Sequence, residues 1–288
     1  MDKLLHWSIA NSQGDQEAIE KVGKPDPELL QQLFGGGPDE TELMKQAVTV
    51  ASNPEATLDA KLVALDNFEM LIENLDNANN IENLKLWEPL IGLISDPEAE
   101  IRANVLSIVG TAVQNNEKSQ DNFLKHKDGV RKLLEAARGI SEKSAVRTKA
   151  FYALSNLTRH NKTSFEAVQT LGGLDIISPV LEDESATDKL KLRALAFLTA
   201  ITTTVPLDEP FLETLRERRI IESALRFLNP ESSVYIVDRV LNFLSQLITS
   251  GLRLNEVELS QLRSGLPAIK GLEERLNEDD YQKVKHVL

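Results

Sequence analysis

An all-α fold of stacked helical units is expected for this chain, on three observations. One apolar stripe recurs at nearly constant spacing along most of its length. No segment alternates apolar and polar residues long enough to argue a strand. Leu, Ala, Ile and Val carry most of an apolar content of 41%, with aromatics at only 5%, a balance that suits packed helices better than a β-sandwich.

Residues 1–38 read as an arm apart from the rest. Two short apolar clusters, Leu4-Leu5-Trp7-Ile9 and Leu29-Leu30-Leu33-Phe34, flank a polar stretch that ends in Lys24-Pro25-Asp26-Pro27. Gly35-Gly36-Gly37-Pro38 then interrupts any helix. Helices of two or three turns are too short to stand alone in water. The arm is therefore expected to be flexible, carrying amphipathic pieces that cap the first repeat or engage something else.

From residue 39 to 254 helical patterns follow one another across short breaks. The breaks are Asn53-Pro54, Asp76-Asn77, Ser95-Asp96-Pro97, Gly172-Gly173, Asn229-Pro230 and Gly251. Asp96 followed by Pro97 reads as an N-cap with proline in the first turn, opening a helix from Ile101 to Val113. The segment RTKAFYALSNL buries Ala150, Phe151, Leu154 and Leu157. The same stripe recurs at Ala64-Leu65-Phe68-Leu71, Val105-Leu106-Val109-Ala112, Ala194-Leu195-Leu198-Ile201 and Val240-Leu241-Leu244-Leu247, at offsets of 41, 45, 44 and 46 residues. One or two shorter helical patterns precede each long one, such as Ile81 to Ile94 and Val130 to Ala137. A period in the low to middle forties with extra short helices is the armadillo signature. Each unit cannot bury its stripe alone, so the units stack into a right-handed superhelical solenoid. Residues 255–288 stay helical in pattern but leave the repeat, and read as a C-terminal cap.

Composition excludes several function classes. With 45 acidic and 32 basic residues the net charge is −13, which disfavours nucleic acid and anionic membrane surfaces as partners. The chain has no cysteine, so disulfides, thiolate nucleophiles and Cys-based zinc sites are out of reach, as fits a reducing compartment. Neither end reads as a signal peptide, membrane anchor or retention signal, and a cytosolic monomer is expected. His6, His126, His160 and His286 fall in different units, without metal-ligand spacing. No Gly-Lys-Ser/Thr follows the glycine run, and Asp39-Glu40 would repel phosphate. Trp87, in step with Leu84 and Ile91, reads as core, while Trp7 reads as a docking anchor. No catalytic set, cofactor or metal is expected.

A binding face is expected instead. The long helices of such solenoids line the concave side, and the surface opposite each buried stripe looks into the groove. That register places Lys149, Tyr152 and Asn156 in the groove. It adds Arg193 and Ala196, then Arg239, Asn242 and Gln246, then Asn104 and Ser107. Lys149, Arg193 and Arg239 form a basic row in an acidic protein, suited to an acidic lobe or loop of a folded partner.

Several stretches resemble a known family. KLLHWSIANSQGD, PDPELLQQLFGGGPDE, DNFEMLIENLDNANNIENLKLWEPL, VRTKAFYALSNL and the closing LNEDDYQKVKHVL look like the fungal cytosolic nucleotide exchange factors of heat-shock protein 70 chaperones. These are armadillo-type relatives of the human heat-shock-protein-binding protein, and the likeness covers nearly the whole chain. It implies a solenoid that embraces one lobe of the chaperone's ATPase domain and strains it open, so that ADP leaves, ATP enters and the client is released. By the same resemblance Ala78, in the DNANN turn, and Arg193, in KLKLRAL, are partner contacts, and Asn77 beside Ala78 is expected on the same concave surface. The arm, through Leu5, Trp7, Leu33 and Phe34, is implied to assist client release. The other reading is an armadillo scaffold or peptide adaptor. Such adaptors clamp extended peptides with a ladder of Trp and Asn, and only Asn156 fits a ladder position here.

Overall fold

Asparagine starts most of the units. Asn74, Asn116, Asn161 and Asn255 each accept, through the side-chain oxygen, a backbone N–H that opens the first helix of a three-part unit, and Asp208 does the same in the remaining unit. Each cap satisfies a donor that would otherwise be orphaned, worth about 1 kcal/mol. In a computed structural model, which describes residues 39–288, these caps divide the chain into repeats.

The chain separates into two compact units, Met1–Leu43 and Met44–Leu288. Of the first, the described residues 39–43 contain the Asp39 carboxylate, which accepts the Thr41 backbone N–H and hydroxyl. Helix α1 spans Glu40–Ser52 and α2 spans Leu58–Ile72, the latter capped by Thr57. Four full units follow: α3 (Leu75–Asn83), α4 (Trp87–Leu93) and α5 (Ala99–Ala112); α6 (Glu117–Leu124), α7 (Gly129–Arg138) and α8 (Ser144–Thr158); then α9 (Lys162–Thr170), α10 (Ile177–Glu182) and α11 (Asp188–Thr202); and α12 (Glu209–Glu217), α13 (Ile220–Leu225) and α14 (Val234–Thr249). A 3-10 turn at Gly173–Ile176 enters α10 after Gly172, whose φ of 78° only glycine adopts freely. No strand occurs among the described residues.

The long helices α2, α5, α8, α11 and α14 stack side by side, as the recurring stripe requires. Each contributes a fully buried hydrophobic set, including Phe68, Phe151, Phe197 and Phe243, and one continuous core runs through all of them. The rings of Phe151 and Phe197 lie 6.0 Å apart between neighbouring units. Trp87, fully buried, meets Phe123 edge-on at 5.2 Å and ties α4 to α6. Each such side chain stabilises by about 1.5–3 kcal/mol through burial.

Four local expectations are corrected. Asp76-Asn77 is no break: both residues lie in the first turns of α3, which Asn74 caps. An asparagine that interrupts one helix can equally open the next, and residue 74 takes that part. The pattern from Ile81 to Ile94 is two helices rather than one, parted at Lys85 with φ of 58°. Asp96 caps a turn instead of a helix, accepting the Glu98 N–H at 2.9 Å, and α5 begins after Pro97 at Ala99. The last stretch repeats the three-part order in shortened form. Helix α15 (Glu256–Ala268) leads through a 3-10 segment, Lys270–Arg275, to α16 (Glu278–Lys285), which packs on α14.

Surface ion pairs add little except where they cluster. Glu222 accepts from Arg219 and Arg226, and these hydrogen bonds hold its carboxyl down to about 2. A depressed folded value stabilises above the unfolded carboxylate range and is lost as pH falls from about 4.5 towards 2. Glu222 is 39% exposed, so screening reduces its contribution to about 0.5–1 kcal/mol. Glu222→Gln is therefore expected to remove that much of the acid-side slope in urea melts between pH 5 and about pH 2.5, and little at pH 7 beyond it. A variant with an unchanged acid slope would show the cluster to be energetically silent.

Candidate functional site

Aligned long helices present one continuous polar face, and the face is cross-linked. Between α2 and α5, Glu69 accepts the hydroxyls of Ser107 at 2.6 Å and Thr111 at 2.9 Å, while the Asn104 amide donates to Asp66 at 3.3 Å. Between α5 and α8, Lys149 Nζ donates to Ser107 Oγ at 2.8 Å and Tyr152 OH to Gln114 at 3.1 Å. The Asn156 amide donates to the Gly110 carbonyl at 3.1 Å. Between α8 and α11, the Arg193 guanidinium lies 5.1 Å from the Tyr152 ring centroid. Thr202 joins α11 to α14 through Gln246 at 2.6 Å, and Asn242 joins α14 to α16 through Asp280 at 2.9 Å.

This geometry sorts the expected contact residues. Arg193 and Tyr152 are half-buried neighbours on the face, and Arg239 is exposed on the next long helix. Lys149 is tied to Glu69 through Ser107, so its charge is partly compensated within the chain. Asn104 and Asn242 are each bonded to a carboxylate. Asn156 is corrected: at 8% exposure its amide staples two helices and faces no solvent groove. Asn77 and Ala78 are corrected likewise. They are buried at 5% and 3% exposure, with the Asn77 amide donating to the Leu71 carbonyl at 2.9 Å. At that exposure neither side chain presents a surface to a partner. Leu5, Trp7, Leu33 and Phe34 lie outside the described residues.

The register argument missed the apolar end of the face. Val63 and Met70, in the positions of Arg193 three units back and of Asn156 two units back, are 58% and 63% exposed. Their helical spacing beside Asp66 was the available signal. A groove of about 830 Å³ lies between α2, α5 and the start of α8, lined by Leu62, Ala103 and Ala145 together with Asp66, Glu98 and Glu100. Among the described residues no group of His, Asp and Glu is arranged to hold a metal ion. No described helix is long and apolar enough to cross a membrane.

Comparison with solved structures supports the architecture alone. A designed armadillo repeat protein superposes with a TM-score of 0.66 at 15% identity, covering 85% of this chain and 98% of its own. A computationally designed armadillo repeat protein for modular peptide recognition gives 0.66 at 16% identity, with 85% and 98% covered. Sequence comparison reaches further. The pattern described as "Nucleotide exchange factor Fes1" matches residues 1–81, and that of the "SIL1/FES1/HPBP1 C-terminal domain" matches residues 77–208. A protein of Kluyveromyces lactis named Hsp70 nucleotide exchange factor FES1 is 58% identical over 287 residues, covering 100% of this chain and 99% of its own. The protein of that name from Saccharomyces cerevisiae is 58% identical over 290 residues, with both chains fully covered. The Yarrowia lipolytica protein still matches at 34% over 97% of this chain and 95% of its own. This chain belongs to the Fes1 family of Hsp70 nucleotide exchange factors.

Proposed function

We propose that this protein binds the ATPase domain of a cytosolic Hsp70 chaperone and accelerates release of ADP, so that ATP enters and the client leaves. Full-length identity of 58% to proteins named for that activity supports the reading. The observation that carries it to a surface is Arg193. In a chain of net charge −13, its guanidinium has no carboxylate or hydrogen-bond partner among the described residues and rests on an aromatic ring. Its N–H donors are therefore available to carboxylates of a partner lobe. Arg239, exposed one unit further on, extends the same positive edge.

The mechanism is linkage rather than chemistry of the chain's own residues. A protein that binds the open, nucleotide-poor form better than the closed one shifts that equilibrium by the difference in affinity. A hundredfold faster ADP release asks for about 2.7 kcal/mol of differential binding. The protein acts in this account as a cytosolic monomer and holds no nucleotide itself. The adaptor reading loses its one supporting residue, because the Asn156 amide is engaged by the Gly110 carbonyl and is unavailable to clamp a peptide.

Stopped-flow release of a fluorescent ADP analogue from a cytosolic Hsp70 tests this directly. The expected result is acceleration that rises with the concentration of this protein and saturates. Arg193→Ala should raise the half-saturating concentration at least tenfold, a loss of about 1.4 kcal/mol or more, with an unshifted thermal melt. No acceleration with any cytosolic Hsp70 would overturn the proposal.

A further inference from the structure

A glycine in the last turn of α5 is the anomaly from which the inference starts. Gly110 lies two residues short of the helix end at Ala112, where glycine still favours the helix less than alanine does. Its φ is not positive, so the backbone does not call for it. Space does. A methyl group at that position would overlap the Tyr152 ring and come within 3.2 Å of the Ala153 Cα. The tyrosine ring therefore lies directly on the backbone of the preceding long helix, and its hydroxyl is fixed there by Gln114. Thr111 stands beside the same hydroxyl at 3.5 Å.

On this ring rests Arg193, from the following long helix, at 5.1 Å from the centroid. That distance is within the range of a cation–π contact. Lys149 also approaches the ring at 5.7 Å, but its ammonium donates to Ser107. Two other arginines, Arg102 and Arg216, show a different arrangement. Arg102 grips Glu142 through Nε and Nη2, and Arg216 grips Glu258 in the same way. In those pairs the fork of donors is used up inside the protein. An aromatic face holds a guanidinium without taking a single N–H.

We infer that Gly110 and Tyr152 are positioning residues for Arg193, seating its guanidinium in advance with its donor fork left for a carboxylate on the partner. The inference rests on the proposed function and names the device that makes that contact effective. A free arginine side chain loses rotamer freedom when it binds, and a seated one has lost much of it already. The glycine makes room for the ring, the ring supports the cation, and three successive units build one contact.

A double-mutant cycle on the full-length protein tests the device, read by titration calorimetry against the ATPase domain of a cytosolic Hsp70. Tyr152→Leu and Gly110→Ala are each expected to weaken binding about three- to tenfold. In an Arg193→Ala background the same changes should cost less than about twofold, because the residue they serve is gone. Tyr152→Phe keeps the ring on Gly110 and should recover tight binding where Tyr152→Leu does not. A purely structural role would lower the melting temperature in both backgrounds and weaken binding equally in both. Equal losses with and without Arg193, or no loss from Tyr152→Leu in the native background, overturn the inference and leave the proposed function standing. Native binding by Arg193→Ala itself would remove this inference and the face assigned to the partner together.

Discussion

Replacing Ala78 with arginine is expected to lower the melting temperature by roughly 5–10 °C, from a loss of about 2–4 kcal/mol. The family resemblance implies that Ala78 meets the partner, where a large side chain would act as a plain surface block. The geometry gives a different cause for the same loss of binding. Ala78 is 3% exposed in the second turn of α3, which packs on α2, α5 and α6. An arginine there overfills a closed interface and has to carry its charge out to water along neighbouring helices. The displaced helices are those that position Asp66, Asn104 and Ser107 on the polar face, so binding should fall as a consequence of repacking. Differential scanning calorimetry beside the binding titration decides the matter. Lost binding with an unshifted melt would return Ala78 to the surface. A paired loss would class Arg193→Ala, with its native melt, as the cleaner probe of the partner contact.

The largest loss of stability is expected at Glu258→Ala, about 3–5 kcal/mol. Glu258 is 5% exposed and accepts three donors: Arg216 Nε at 2.8 Å, Arg216 Nη2 at 3.0 Å and the Asn255 backbone N–H at 2.8 Å. The last of these completes a capping box with Asn255 at the start of α15. Its hydrogen bonds, the largest influence on Arg216, hold that guanidinium still more firmly in the charged form. Removing the carboxylate leaves a charge, one-fifth exposed, facing an empty acceptor site, and opens half of the capping box by orphaning the Asn255 backbone N–H, while the Asn255 side chain still caps the helix. Glu213→Ala should cost under about 1 kcal/mol, since Glu213 is 59% exposed although it touches the same arginine. Hydrogen exchange in Glu258→Ala is expected to rise first in α15 and α16, the shortened last unit. A uniform rise over all units, or a loss under about 1 kcal/mol, would be the contrary result.

How legible each feature was follows from how far apart its causes lie in the chain. The repeat was readable because stacking forces the same buried stripe on each long helix, and Phe151 or Leu244 announces itself within one turn. Arg193 was readable for the same reason, as a cation opposite that stripe. Caps were harder. Asn74, Asp76 and Asn77 all favour breaks by composition, and only the backbone shows that Asn74 opens α3 while Asn77 is buried within it. Lys85 gives no composition signal for the left-handed turn it makes between α3 and α4. Asn156 was misjudged because a polar side chain opposite an apolar stripe can point to solvent or reach the next helix's carbonyl, and the helical register is the same for both. The seat of Arg193 joins Gly110, Tyr152 and Arg193 across three units, so no local window contains it. A glycine within a strong helical pattern was its one trace.

The polar bonds strung along the long-helix face have a mechanical consequence. Each neighbouring pair from α2 to α14 is joined there by at least one hydrogen bond or ring contact, and α16 closes the series through Asp280. Pulling two neighbouring long helices apart would break these rungs while shearing the aromatic core behind them, and pressing them together would compress close contacts such as the Tyr152 ring on Gly110. Neighbouring long helices are thus held against separation and approach alike, so a load placed on one of them is passed along the row.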